Sequence, residues 1–313
     1  MNRNRHIQYR RSIYRKRKIK TIIISTVVAL LVLFVLFMII GTALHAKTQK
    51  TPSEEPEYTD DIIDNRPAVT TAKTVGAYAL PLLEDGSKFS DRLAGIQPNS
   101  NAVCIALNNA EGTLLFRSDL AKSLPQLSIH DDASSLTGSV GSIENEGFYI
   151  SGALYVTAFS QENSLLRDVE LSTWGAIACE ALQNGVGDVL LVAPEMSAND
   201  VGRICAVADS IHSNVERSVV GLLLPESVLE NENSAALIKE LSTHFNYLTL
   251  DTSNYKEGED AVAYIEGRVS SLQLELMYYK MRVRLPRASD SDTQKQYIDA
   301  VAKYNITSWL VLP

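Results

Sequence analysis

The chain has 313 residues, a 45% share of hydrophobic residues and a formal net charge of −8 at pH 7. Its first 20 residues hold nine Lys and Arg and no acid, so residues 21–313 together carry a net charge of −17. This acidity argues against a nucleic-acid partner, because binding to nucleic acid needs a basic footprint.

Residues 21–44 are predicted to form one transmembrane helix. The stretch Ile22–Ile40 carries no charge, and as a helix it would span about 28 Å, close to the hydrocarbon thickness of a lipid bilayer. The basic residues 1–20 predict a cytoplasmic tail, so we expect a single-pass protein of the cell membrane with its main domain extracytoplasmic. The alternative is a cleaved signal peptide, whose apolar region is usually shorter, about 7–15 residues.

Residues 45–73 are predicted to form a disordered acidic linker. The segment Thr48–Asp64 is polar and acidic and contains Pro52 and Pro56, so it cannot bury enough apolar surface to fold alone. We expect it to lift the outer domain away from the membrane surface.

Short apolar runs recur through residues 74–313, separated by segments with helical spacing. Continuous apolar runs of this length are typical of parallel strands that are covered on both faces. Five of them end at a proline, which cannot continue a central strand ladder. The eight predicted strands are Gly76–Leu80, Ala102–Leu107, Tyr149–Thr157, Asp188–Ala193, Val219–Leu224, Tyr247–Leu250, Met281–Leu285 and Ser308–Leu312.

Several segments between the strands show the spacing of amphipathic helices. Apolar residues from Val262 to Tyr279 recur at intervals of three and four, as do those from Trp174 to Leu182. Ser197-x-x-Asp200 predicts a capping box at the start of a further helix. By contrast, the Gly/Ser-rich stretch Ser134–Ser142 is predicted to be a loop, and residues 113–116 a strand of a short hairpin.

Eight strands alternating with helices in about 240 residues predict an α/β fold, a (β/α)8 TIM-like barrel. The last predicted strand reaches the end of the sequence, so we expect the eighth helix to be missing. The alternative is an open, doubly wound sheet, which would need fewer strands in one domain.

The sequence lacks several signatures of cofactor and metal sites. It contains no P-loop, no HExxH and no GxSxG motif, and Gly185-x-Gly187 precedes a strand instead of following one. The five histidines show no pairing at metal-ligand spacing. We therefore expect neither a cofactor nor a metal.

In a barrel of this type, the site residues lie at the carboxyl ends of the strands. Glu195 is the candidate catalytic acid there, with Asp251 or Glu226 as the second carboxylate that glycoside hydrolysis requires. The structural alternatives are a negative charge at a helix N-terminus for Glu195 and Glu226, and a turn for Asp251.

The candidate substrate-binding residues are Tyr78, Asn108, Glu226 and Arg284. Arg282 and Arg284 interrupt an apolar strand, and Arg284, nearer the barrel mouth, could hold an anionic sugar or orient a carboxylate. The structural alternative for both arginines is an internal ion pair. Tyr78, Tyr155 and Phe159 are the aromatic residues near strand ends that a binding groove could use.

The segment Asn101–Phe116 (NAVCIALNNAEGTLLF) resembles the second-strand segment of the glycoside-hydrolase-like TIM barrels of bacterial envelopes. Ala178–Ala193 is similar to helix three, the following loop and strand four of that family. The resemblance implies a barrel that acts on or binds an envelope glycan. However, Asn108 and Asn109 stand where the family tends to have Lys and Asp, and an amide cannot replace a carboxylate as a general base.

Two functional hypotheses follow. The first is a membrane-anchored, extracytoplasmic, glycoside-hydrolase-like barrel that acts on or binds envelope polysaccharide or peptidoglycan, with degenerate or absent catalysis. The second is a non-catalytic interaction or scaffold protein of the envelope. Hydrolysis requires carboxylates that converge on one pocket, whereas an interaction protein would show an apolar patch outside the barrel mouth. A small-molecule receptor, a third class, has no cytoplasmic output domain to support it.

Overall fold

The computed structural model describes residues 76–80, 100–124, 127–255, 260–272 and 281–312. The predicted cytoplasmic tail, transmembrane helix and linker all lie outside these residues. Within the described residues, no helix combines the length and the apolar composition needed to cross a bilayer.

Eight parallel strands close into a barrel, which confirms the predicted fold and excludes the open sheet. The strand order is β1-β10-β9-β8-β7-β6-β5-β2, and the β1–β10 pairing closes the circle. All eight predicted strands are present, with ends that differ by at most two residues. The described strands are β1 (Gly76–Leu80), β2 (Ala102–Ala106), β3 (Leu114–Phe116), β4 (Ile129–Ser134), β5 (Tyr149–Tyr155), β6 (Asp188–Val192), β7 (Val220–Leu223), β8 (Tyr247–Asp251), β9 (Met281–Arg284) and β10 (Ser308–Val311).

Within the described residues, a helix follows each of the barrel strands β5, β6, β7, β8 and β9, as the alternating pattern predicts. The predicted Val262–Tyr279 helix is present as far as Ser271, and residues 273–280 lie outside the described part of the chain. The described α-helices are α1 (Leu136–Asn145), α2 (Ser164–Gln183), α3 (Val201–Asn214), α4 (Glu226–Leu229), α5 (Ser234–His244), α6 (Ala261–Ser271) and α7 (Ser291–Ala302).

Alternate residues of β2, β5, β6, β7, β8 and β10 are buried in two different cores. On β2, Val103 and Ile105 belong to the large cluster that the helices cover, whereas Ala102 and Cys104 belong to a smaller cluster. The smaller cluster also contains residues of β5, β6, β8 and β10, so it fills the inside of the barrel. This alternation follows from the period of two in a strand, and it makes the barrel a packed core instead of a pore.

The loop prediction for Ser134–Ser142 is wrong, because residues 136–142 form the larger part of α1. Ser135 caps the helix by accepting a hydrogen bond from the Gly138 N–H, and Leu136, Val140 and Ile143 face the core. Their spacing of four and three is helical, but the glycines and serines between them conceal it in the sequence.

The hairpin prediction for residues 113–116 is correct at its turn and incomplete beyond it. Asn108 and Leu114 form an antiparallel bridge, and the Leu115 N–H donates to the Leu107 carbonyl at 2.9 Å. Leu114 and Leu115 belong to β3, which also pairs in parallel with β4 in a small sheet outside the barrel.

Candidate functional site

The carboxyl ends of the barrel strands carry the predicted site residues. Asn108 follows β2, Glu195 follows β6, and Glu226 follows β7 as the first residue of α4. Asp251 and Arg284 are the last residues of β8 and β9, and they are direct partners in the register of those two strands.

Asp251 and Arg284 form an ion pair at this end of the barrel. Arg284 Nη1 lies 2.8 Å from Asp251 Oδ2, and both side chains are largely buried. Asp251 Oδ1 accepts hydrogen bonds from the backbone N–H of Ser253 at 2.9 Å and from its hydroxyl at 2.6 Å. Both carboxylate oxygens therefore have donors within the protein, and the carboxylate fixes the position of the guanidinium.

Asn108 is completely buried and joins β2 to β5. Its amide nitrogen donates to the Tyr155 carbonyl at 2.8 Å, and its amide oxygen accepts from the Tyr155 N–H at 2.7 Å. The Asn108 side chain thus makes the two hydrogen bonds that the backbone of a neighbouring strand would make with Tyr155, the last residue of β5. Both the amide nitrogen and the amide oxygen of Asn108 have partners.

Among the described residues, Glu226 and Asp251 have different partners, so they do not share a hydrogen-bond network. Glu226 is exposed, and its carboxylate accepts a hydrogen bond from Arg268 Nη2 on α6 at 2.6 Å. Glu195 is also exposed, and it makes no hydrogen bond or ion pair with any described residue. The arrangement of Glu226 at the start of a helix matches the structural alternative considered for it.

The aromatic candidates Tyr155 and Phe159 do not form an exposed row. Tyr155 is half-buried against the inner cluster, and Phe159 is 6% exposed. Tyr78 lies on β1 in register with Val103, and for this residue the description covers only the backbone.

The inside of the barrel contains an ion-pair network that sequence analysis predicted only in part. Arg282 Nη2 lies 3.5 Å from Asp188 Oδ2, and both side chains are fully buried. Asp188 Oδ1 accepts hydrogen bonds from the hydroxyls of Tyr247 at 2.5 Å and Ser151 at 2.6 Å. The Arg282 guanidinium also lies 3.9 Å from the centre of the Tyr247 ring.

This network lies at the end of the barrel opposite the candidate site. Asp188 and Tyr247 are the first residues of their strands, and the amino ends of barrel strands contribute stability, not catalysis. Burial raises the pKa of the Tyr247 phenol well above its ordinary value, and it raises the pKa of the Cys104 thiol to about 12. In the sequence, Asp188 could have been recognised as the single acidic residue of an apolar strand. It is the natural partner of Arg282, a basic residue in another apolar strand.

The described residues contain no group of three or more His, Cys, Asp or Glu side chains arranged to hold a metal ion.

Comparisons with known proteins give no family. No protein-family model and no curated protein matches the chain. Similar solved structures include the spore cortex-lytic enzyme SleL of Bacillus cereus, at 8% identity and a TM-score of 0.46 over 75% of this chain and 69% of that one. A chitinase of Chromobacterium violaceum has 10% identity and a TM-score of 0.44 over 67% and 68% of the two chains.

A D-psicose 3-epimerase of Clostridium cellulolyticum has 13% identity and a TM-score of 0.44 over 76% of this chain and 83% of that one. Similarities at this level carry no argument about substrate or mechanism, because one fold supports many activities. The assignment of the barrel rests on the strand pairing itself.

Proposed function

We propose that this chain is a membrane-anchored, extracytoplasmic barrel of the glycoside-hydrolase type that binds an envelope polysaccharide or peptidoglycan without cleaving it. One observation supports the non-catalytic part most strongly: Asp251, the candidate second carboxylate, is already paired with Arg284 and Ser253. The glycan and the membrane anchor are supported by the sequence alone, through the resemblance of Asn101–Phe116 and the apolar segment Ile22–Ile40.

Hydrolysis of a glycoside needs a protonated acid and a second carboxylate about 5–9.5 Å apart, the second acting as a nucleophile or activating water. Asp251 has donors on both oxygens, and Glu226 is bonded to an arginine of an outer helix. Asn108 is a buried amide with both ends occupied. All three side chains are therefore engaged in hydrogen bonds within the protein. Arg284 uses only Nη1 for Asp251, so its other N–H donors can hold an anionic group.

The test uses the full chain in a non-ionic detergent. We expect it to sediment with insoluble peptidoglycan and to release no new reducing ends from it. Arg284→Met should lower the fraction of the protein that sediments with peptidoglycan. Glu195→Gln should change neither this fraction nor the release of reducing ends. Glu240→Gln on α5 is the control for a lost surface charge. Release of fragments that Glu195→Gln abolishes would establish a hydrolase and refute the proposal.

A second function, an interaction or scaffold protein of the envelope, is favoured by a specific surface feature. Leu165, Leu166 and Val169 are 74%, 57% and 59% exposed, and they are the large exposed hydrophobic residues of the described chain. All three lie in the first two turns of α2. Single exposed apolar residues are ordinary, but a cluster of them marks a contact surface.

A further inference from the structure

A cavity of about 460 Å³ opens beside the first half of α2, next to this apolar cluster. The cavity is lined by α2, by the turn after β2 and by the segment before β4. A short 3-10 turn, Thr157–Ser160, also contributes to the lining. The lining residues are Glu111, Gly112, Leu127, Ser128, Thr157, Gln161, Leu166, Val169, Glu170, Thr173 and Trp174.

The Glu170 carboxylate is held in place inside the cavity by one of its two oxygens. Glu170 Oε1 accepts hydrogen bonds from the Thr157 hydroxyl at 2.5 Å and from the indole N–H of Trp174 at 3.3 Å. Glu170 Oε2 makes no hydrogen bond or ion pair with any described residue. The carboxylate is thus oriented in advance, with one oxygen left to accept from a ligand.

The back of the cavity requires a glycine in the turn after β2. Gly112 has a φ of +85°, and a Cβ there would lie 3.3 Å from Trp174 Cζ2 and 3.4 Å from Thr157 Oγ1. The turn can therefore approach both residues that orient Glu170. It also carries the exposed Glu111 to the rim of the cavity.

The charge and the shape of the cavity together define the chemistry of an occupant. Its described lining has two carboxylates, Glu111 and Glu170, and no Lys, Arg or His. Leu166 and Val169 form part of the wall and continue into the exposed cluster with Leu165. A complementary ligand carries a cationic group beside an apolar surface.

We propose that this cavity is a docking site for a segment of a partner protein that inserts a Lys or Arg side chain toward Glu170. Apolar side chains of the same segment cover Leu165, Leu166 and Val169, as when an amphipathic helix lies in a groove. This inference rests on the interaction role proposed above, and it is independent of glycan binding at the barrel mouth.

Two other occupants fit the site less well. A second copy of the chain would bring the same acidic rim against this one, and like charges facing each other oppose association. A sugar usually packs on an exposed aromatic ring, but Trp174 is only 2% exposed, and the exposed apolar side chains of the wall are the aliphatic Leu166 and Val169.

The test measures binding of a fluorescein-labelled helical peptide of Leu and Lys, with the Leu residues on one face, to the full chain in non-ionic detergent. A matched peptide has Glu in place of Lys. We expect the Lys peptide to bind at least about tenfold more tightly than the Glu peptide. Glu170→Gln keeps the oxygen to which Thr157 and Trp174 donate, and it should lower the affinity for the Lys peptide by about tenfold.

Glu240→Gln on α5 changes the charge equally and should leave the affinity unchanged. Leu166→Ser combined with Val169→Ser should weaken the binding of the Lys peptide while Glu170 is intact. Equal affinity for the two peptides, or equal effects of Glu170→Gln and Glu240→Gln, would refute the docking site. If a variant fails to fold, equal affinity of the two peptides for the unaltered chain would still refute the proposal.

Two further outcomes would assign the cavity to another occupant and overturn the proposal. One is a concentration-dependent dimer that Leu166→Ser abolishes in sedimentation velocity. The other is displacement of the Lys peptide by soluble chito-oligosaccharides. Sedimentation with peptidoglycan, measured on the same Glu170→Gln protein, separates a failure of this inference from a failure of glycan binding at the mouth.

Discussion

Asp200 shows how one carboxylate joins two helices to the loop that follows a barrel strand. Its Oδ2 accepts hydrogen bonds from the Ser197 hydroxyl at 2.6 Å and the Ser197 N–H at 3.2 Å, which confirms the predicted capping box. Its Oδ1 lies 2.9 Å from Arg167 on α2 and 3.1 Å from Arg203 on α3. The motif predicted the local contacts, but the contact with Arg167 depends on how α2 and α3 pack together.

The pKa of Asp200 predicts how this contact responds to acid. Burial tends to raise that pKa, but the hydrogen bonds from Ser197 and Arg203 and the charge of Arg167 outweigh it and lower the pKa. A lowered folded-state pKa means that ionised Asp200 stabilises the fold above about pH 4. This stabilisation is lost as the pH falls through the folded-state value.

Asp200→Asn should therefore lower the free energy of unfolding by about 1–3 kcal/mol at pH 7, and by progressively less below pH 4. Urea unfolding of the full chain, followed by tryptophan fluorescence at several pH values, measures this difference. A deficit that stays constant from pH 7 to pH 3 would contradict the assignment of the ionised contact.

Strands and helices differed in how well the sequence predicted them. The strands are runs of adjacent apolar residues, so their positions are visible without knowledge of their neighbours. In α1, the buried residues Leu136, Val140 and Ile143 are separated by glycine and serine, which are weak helix formers. Packing of that one face against the barrel compensates for the low intrinsic propensity, and a local pattern does not report that compensation.

Packing between neighbouring strands makes Gly221 of β7 sensitive to any added side chain. A Cβ at Gly221 would lie 2.1 Å from Tyr247 Cε2, and Tyr247 is its register partner on β8. The ring cannot move away easily, because it is fully buried, bonded to Asp188 and covered by Arg282.

Gly221→Ala should lower the free energy of unfolding by about 1–3 kcal/mol through overpacking. Gly202→Ala is the matched control, because Gly202 lies on α3 with no atom within 4 Å of the added Cβ. In a helix this change should raise stability by about 0.5–1 kcal/mol. Thermal unfolding of both variants, followed by circular dichroism, makes the comparison, and similar changes in the two would refute the packing argument.

At the scale of the whole molecule, the closed barrel surrounds a buried pair of opposite charges. Asp188 and Arg282 lie on β6 and β9, which are not neighbours in the strand order, so they meet across the inside of the barrel. Burial of two charges costs free energy, and it is tolerated here because the hydroxyls of Ser151 and Tyr247 also donate hydrogen bonds to Asp188.

Removing either charge alone should lower the free energy of unfolding by about 3–5 kcal/mol, because the remaining charge would be buried without a partner. Asp188→Asn and Arg282→Met should each show this loss. The double variant leaves neither charge buried. Its loss of unfolding free energy should therefore be smaller than the sum of the two single losses, and the difference should be about 0.5–3 kcal/mol. The double-mutant cycle is measured by urea unfolding of the full chain, and strictly additive losses would show that the two side chains do not interact.

The candidate site was predictable in position but not in its contacts. The strand ends correctly marked where Asp251, Arg284 and Asn108 lie, since the carboxyl ends of parallel strands meet at one face. Their partners depend on register: Asp251 meets Arg284 because those residues are paired on β8 and β9. A shift of either strand by one residue would turn that strand's side chain to the other face of the sheet and separate the pair.

The sequence by itself determined a parallel α/β fold of eight strands, because its apolar runs recur with helical segments between them and each run needs cover on both faces. Closure into a barrel instead of an open sheet was decided by the β1–β10 pairing. It also determined the acidic charge and the apolar segment Ile22–Ile40. The tertiary structure alone decided that Asp188 meets Arg282, and that the Thr157 hydroxyl donates to Glu170 on α2. Such contacts join residues from separate elements, so they exist only after closure and packing have fixed the distances between those elements.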